Sequence, residues 1–99
     1  MKIRLTPTAR ITYFEILDHL TEKWTIRKIK NFADEVENIL GQIAVNPYMF
    51  EASRKSKNIR KGFVTKHNAL YYRIKPRKKE IELITFWFNA QSPQKLPHY

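Results

Sequence analysis

The stretch IRKGFVTKHNALYYRIKPRKKEIELITFWF, Ile59 to Phe88, holds three runs rich in β-branched and aromatic residues: Ile59 to Lys66, Ala69 to Lys75 and Glu80 to Phe88. His67-Asn68 separates the first two runs, and Pro76-Arg77-Lys78-Lys79 separates the last two. Runs of this length divided by turn residues predict three successive strands with one face packed on an apolar layer. Connections this short join neighbours, so the strands form an antiparallel meander.

The apolar layer is found toward the N-terminus. Thr25 is placed to cap a helix whose buried face is Ile29, Phe32, Ala33, Val36, Leu40 and Ile43, ending by Asn46-Pro47 because a proline disfavours helix in its predecessor. Before it, Ala9, Tyr13, Ile16, Leu17, Leu20 and Trp24 fall on one face of another helix, capped by Thr6 with Pro7 in its first turn and running to about Lys23. Two amphipathic helices joined this tightly fold back as an αα-hairpin. Gly41 inside the second helix reads as a close-packing position, and Tyr48-Met49-Phe50 as a plug closing the bottom of the core, the alternative being a binding patch. Lys2 to Leu5 is short and partly β-branched, a first strand added to the sheet. The expected fold class is therefore α+β: an antiparallel sheet against an N-terminal αα-hairpin, in the order β-α-α-β-β-β.

With 99 residues, 42% of them hydrophobic, the chain suits a single domain spanning 1–99, of which about 91–99 is a loosely held tail. Nineteen Lys and Arg against nine Asp and Glu give a net charge of +10. Residues 1–50 carry seven bases and six acids, the remainder twelve bases and three acids, so nearly all the surplus lies in the second half. Between Ala52 and Lys79 there is no acid at all. A surplus of this size and placement points to a polyanion or an acidic protein partner.

Cysteine is absent, which excludes disulfides, thiolate nucleophiles and Cys-ligated metals and fits a reducing cytoplasm. No apolar run approaches a membrane span, and the first residues lack the apolar core of a secretory signal. His19, His67 and His98 share no metal-ligand spacing, and two glycines are too few for a phosphate-cradling loop, so neither a metal nor a small-molecule cofactor is expected.

Candidate residues follow from charge and strand parity. Arg54, Lys55, Lys57, Arg60, Lys61, Lys66 and Arg73 form the candidate surface for nucleic acid or another target; the alternative is a solvated sheet edge kept soluble by its cations. Lys66, His67 and Arg73 are the catalytic candidates, His67 because imidazole titrates near neutrality and Arg73 because a cation can stabilise charge at a scissile phosphate. Tyr71 and Tyr72 point to opposite faces, one to the core and one able to stack on a base. Trp87 and Phe88 alternate in the same way. Ile11 and Phe14 lie off the main stripe of the first helix; these four are candidates for contact with a protein partner.

The Thr6-Pro7-Thr8-Ala9 start, the helical hairpin, Asn46-Pro47, and Ile59-Arg60-Lys61-Gly62-Phe63-Val64 followed by Leu70-Tyr71-Tyr72-Arg73-Ile74 together resemble the RelE/ParE superfamily of bacterial toxins, over essentially the whole chain. The closing run Phe86 to Leu96 is similar to that family's terminal pattern, with Gln91 and Pro93 matching. The resemblance implies a toxin of a type II toxin–antitoxin module, neutralised by an acidic antitoxin that wraps it. It implies one of two targets: DNA gyrase, inhibited without chemistry by ParE-like members, or the ribosome, where RelE-like members cut messenger RNA. Departures favour the ParE-like branch. Ala69 stands where many members carry Arg, and Phe88 and Ala90 replace the Asp and Arg of the terminal pattern, so the usual nuclease residues do not carry over. A non-toxic RNA-binding or ribosome-associated module, or a toxin that has lost its activity, are the alternatives.

Overall fold

A computed structural model describes residues 1–23 and 25–88. Its elements are β1 (Lys2–Leu5), α1 (Pro7–Lys23), α2 (Ile26–Val45), β2 (Ile59–Thr65), β3 (Asn68–Lys75) and β4 (Glu80–Phe88), with a 3-10 turn at Pro76–Lys78 before β4. The expected order and boundaries hold to within about a residue for the strands and helices. Trp24, the tail and the terminal pattern beyond Phe88 lie outside the described residues.

Local chemistry sets the boundaries. The Thr6 hydroxyl accepts from the Ala9 amide at 3.0 Å and donates to the Ile84 carbonyl at 2.8 Å, so one side chain caps α1 and ties it to β4. Thr25 caps α2 by accepting from the Lys28 amide. The 3-10 turn closes at Lys79, whose φ of 53° puts it in the left-handed region.

The sheet order is β1-β4-β3-β2. The β2-β3-β4 meander is antiparallel, whereas β1 runs parallel to β4, making the whole sheet mixed rather than antiparallel throughout. Residue periodicity reports which strands exist but not the direction of a strand added across a helical connection.

One face of the sheet carries Leu70, Tyr72, Ile74, Ile81, Leu83 and Phe86 against Ala9, Ile16 and Leu20 of α1 and Phe32, Val36 and Ile43 of α2, in one buried cluster. Each such large side chain contributes about 1.5–3 kcal/mol on burial. Tyr13 of α1 stacks on Phe32 of α2, ring centroids 6.2 Å apart, consistent with α2 folding back along α1. On the opposite face Ile59, Tyr71 and Ile84 form a smaller cluster with Trp87 beside it.

Between the two runs of β4 the register slips: Tyr71 pairs with Thr85 but Tyr72 with Leu83, leaving Ile84 as an extra residue. This bulge keeps Leu83 and Phe86 on the helical side although they are three apart. The Phe86 amide there is met by the Thr12 hydroxyl of α1 at 3.0 Å.

Gly62 and Gly41 differ in kind. A Cβ on Gly62 would lie 2.9 Å from Phe50 Cε2, so the close approach of the Phe50 ring requires glycine there. A Cβ on Gly41 would meet nothing within 4 Å, so the close-packing reading of that residue is corrected: it lies on an exposed part of α2. Tyr48-Met49-Phe50 also divides. Phe50 packs against the core, while Tyr48 and Met49 are exposed.

Candidate functional site: a basic cleft at the end of the sheet

Where β2 begins and β3 ends, an open cleft of about 750 Å³ lies between the 46–58 connection and the 3-10 turn. Its cations come from three segments: Lys57 and Arg60 on one side, Arg73 and Lys75 from β3, and Arg77 and Lys78 from the turn. Tyr48 lines it too, and among the described residues no carboxylate lines it. The walls are fixed by backbone bonds, Ile74 N–H to the Asn58 carbonyl at 2.7 Å and Ser53 N–H to the Ile59 carbonyl at 2.7 Å. The Ser53 hydroxyl further accepts from the Lys55 and Ser56 amides, holding the tip of the connection in a tight turn.

The cations differ in what they are free to do. Arg60 is consumed by the fold: Nη1 donates to the Phe50 and Tyr48 carbonyls at 2.7 and 3.3 Å, and Nε and Nη2 donate to the Lys57 carbonyl at 3.1 and 3.0 Å. Its guanidinium also lies 5.1 Å from the centre of the Tyr48 ring. Arg60 therefore clamps the connection against β2. Arg73 and Lys75 share Glu82, each 3.2 Å from a different carboxylate oxygen. Lys57, Arg77 and Lys78 have side chains with no ion pair or hydrogen bond among the described residues.

The remaining candidates are scattered. Arg54 and Lys55 sit exposed on the connection, and Lys61 lies over the Phe63 and Tyr71 rings on the open face of the sheet. Lys66 and His67 occupy the β2–β3 turn, where the His67 amide donates to the Thr65 hydroxyl. His67 and Arg73 are six residues apart along an extended strand, roughly 20 Å at 3.3 Å per residue. The trio Lys66, His67 and Arg73 is thus split between opposite ends of β3, too far apart to surround one phosphate.

Ala69 is fully buried, paired in register with Phe63 of β2 and Trp87 of β4. Tyr72 is buried in the core, its hydroxyl donating to the Pro47 carbonyl at 2.7 Å. Burial pushes that phenol up to about 12, against a smaller opposing pull from the Arg60 cation. Tyr71 is also buried, on the opposite face, and burial raises its pKa too, so neither ring is open for stacking.

Of the partner-contact candidates, Ile11 and Phe14 are 58% and 61% exposed on α1. Trp87 sits on the open face with its indole N–H buried and, among the described residues, without a partner. Phe88 instead turns to the helices, against the core and 5.2 Å from the His19 ring, the inward member of the alternating pair. Arg77 and Lys78, read in the sequence as part of the acid-free stretch and of the turn after Pro76, were not among the candidates; their place in the cleft lining adds them. Among the described residues no three His, Asp or Glu are grouped to hold a metal, and no helix is long and apolar enough to cross a membrane.

No family model matches the sequence, and no curated protein matches it. Solved structures do. The chromosomal ParDE toxin–antitoxin system of P. aeruginosa aligns at 15% identity over 89% of this chain and 95% of that one, with a TM-score of 0.69. The E. coli toxin RelE in complex with an antitoxin peptide aligns at 10% identity over 99% and 96%, TM-score 0.64. The heterotetrameric YoeB–YefM toxin–antitoxin complex of Staphylococcus aureus aligns at 13% identity over 89% and 95%, TM-score 0.59. The chain has the RelE/ParE-like fold.

Proposed function

We propose that this chain is the toxin of a type II toxin–antitoxin pair, a single cytoplasmic domain held inactive by an acidic antitoxin. The observation that carries the reading is the end-to-end correspondence of its fold with ParE, RelE and YoeB chains, two of them solved with their antitoxins. The basic second half supplies the charge complement for an acidic partner. The exposed Ile11 and Phe14 on α1, and Trp87 on the open face, offer apolar anchors for it.

Within that class the geometry favours arrest by binding, as in the gyrase-inhibiting branch. A nuclease needs its proton-transfer groups and its charge-stabilising cation around one phosphate. His67 and Arg73 stand at opposite ends of β3, and Arg73 is paired with Glu82. Ribosome-dependent cleavage of messenger RNA is the second reading, favoured by the cluster of cations around the cleft; it requires Lys66, His67 or Arg73 for toxicity. The test of the toxin assignment is induction of the chain alone and together with the protein of the adjacent reading frame. Growth arrest relieved by a stable complex is the expected result; neither arrest nor complex would overturn the assignment.

A further inference from the structure

Lys57, Arg77 and Lys78 converge on the cleft from two separate segments, and none has a counter-charge among the described residues. Like charges held together in this way repel one another, so an external anion that neutralises them is bound at no cost of breaking internal pairs. Arg73 and Lys75 extend the positive surface along β3, already half-neutralised by Glu82. The cleft is also pre-organised: the Arg60 clamp and the Ile74–Asn58 hydrogen bond hold the 46–58 connection in place, so little ordering remains to be done on binding.

We propose that this cleft grips the phosphate backbone of duplex DNA, with Lys57, Arg77 and Lys78 as the three phosphate contacts. The choice of a duplex rests on the lining. Single-stranded nucleic acids are held by bases stacked on open aromatic rings as well as by cations. Among the described residues the cleft has one aromatic, Tyr48, and one face of its ring carries the Arg60 guanidinium. Tyr71 and Tyr72 are buried and offer no further platform. What remains is a set of point charges, suited to positioning a backbone rather than to reading bases. An acidic peptide competes for the same charges and is the rival outcome.

The inference goes beyond the toxin reading and fails separately from it, because it is measured on the purified chain without reference to growth. Fluorescence anisotropy compares a labelled duplex of about 20 base pairs, a single-stranded RNA of equal length and a Glu-rich peptide, across a salt series. The variant Lys57→Ala/Arg77→Ala/Lys78→Ala is set against Arg10→Ala/Arg27→Ala/Lys30→Ala, which removes the same charge from the helices. Each phosphate contact contributes roughly 0.9 to the slope of log affinity against log salt, so the cleft variant should lose about 3 from that slope while the helix variant keeps it. The duplex should bind the parent chain more tightly than the RNA or the peptide. Equal losses in both variants, or tighter binding of RNA or peptide, would overturn the proposal. Arg77→Ala alone, on the exposed turn, provides the same comparison with a loss of about 1 should the triple variant not fold.

Discussion

The Tyr72 hydroxyl donates to the Pro47 carbonyl at 2.7 Å, tying the middle of β3 to the residue that follows the C-cap of α2. One bond thus couples the sheet to the end of the helical hairpin and fixes where the 46–58 connection starts.

Replacing Tyr72 by Phe leaves that carbonyl without its partner and should cost about 1 kcal/mol in denaturant unfolding at neutral pH. Because burial raises the phenol to about 12, the folded state holds this proton more tightly than the unfolded chain does. Its stabilisation is therefore complete below pH of about 10, the ordinary phenol value, and is lost as pH rises toward about 12. Tyr72→Phe should show a shallower alkaline decline than the parent, with some decline remaining from Tyr13 and Tyr71, which burial also raises. Parallel curves for the two proteins above pH of about 10 would contradict this.

Arg60 is a clamp, so its loss should act on stability. Arg60→Ala leaves the Phe50 and Lys57 carbonyls without their charged donor and should lower unfolding free energy by about 2 kcal/mol. Arg60→Lys should recover less than half, because an ammonium cannot reach three carbonyls with a planar fork. Thermal unfolding of the two variants checks both statements.

The two glycines should respond in opposite directions. Gly41→Ala places its methyl in open space within α2 and should stabilise by up to about 1 kcal/mol, whereas Gly62→Ala drives a methyl against the Phe50 ring and should destabilise by about 1–3 kcal/mol. A shift of the urea midpoint in the same direction for both would refute the packing described around Phe50.

Thr12 contributes through the bulge in β4. Thr12→Val keeps the size but leaves the Phe86 amide without its acceptor, an expected loss of about 1–2 kcal/mol. Thr12→Ser, which retains the hydroxyl, should restore most of it.

These residues also mark where the fold was legible in the sequence. Thr6, Thr25 and Asn46-Pro47 carry local boundary chemistry, and the turns read at His67-Asn68 and Pro76 to Lys79 bound the meander to within a residue, so elements and limits could be read. The direction of β1 and the bulge at Ile84 depend on contacts between distant segments, which a period of two does not report. The site was less legible than the fold. Charge shows that Arg60, Arg73 and Lys57 are cations but not that the first grips backbone carbonyls, the second meets Glu82 and the third is left uncompensated. Arg77 and Lys78 look like a turn until the turn is seen to wall a cleft.

The most direct test of the proposed function follows labelled thymidine and labelled amino acid in a bacterial host during the first minutes after the chain is induced alone. Arrest by a gyrase-binding toxin predicts that thymidine incorporation falls first while amino acid incorporation continues, and that Lys66→Ala/His67→Ala/Arg73→Ala remains toxic. Early loss of amino acid incorporation, abolished in that triple variant, would contradict the account and make the chain a ribosome-dependent nuclease.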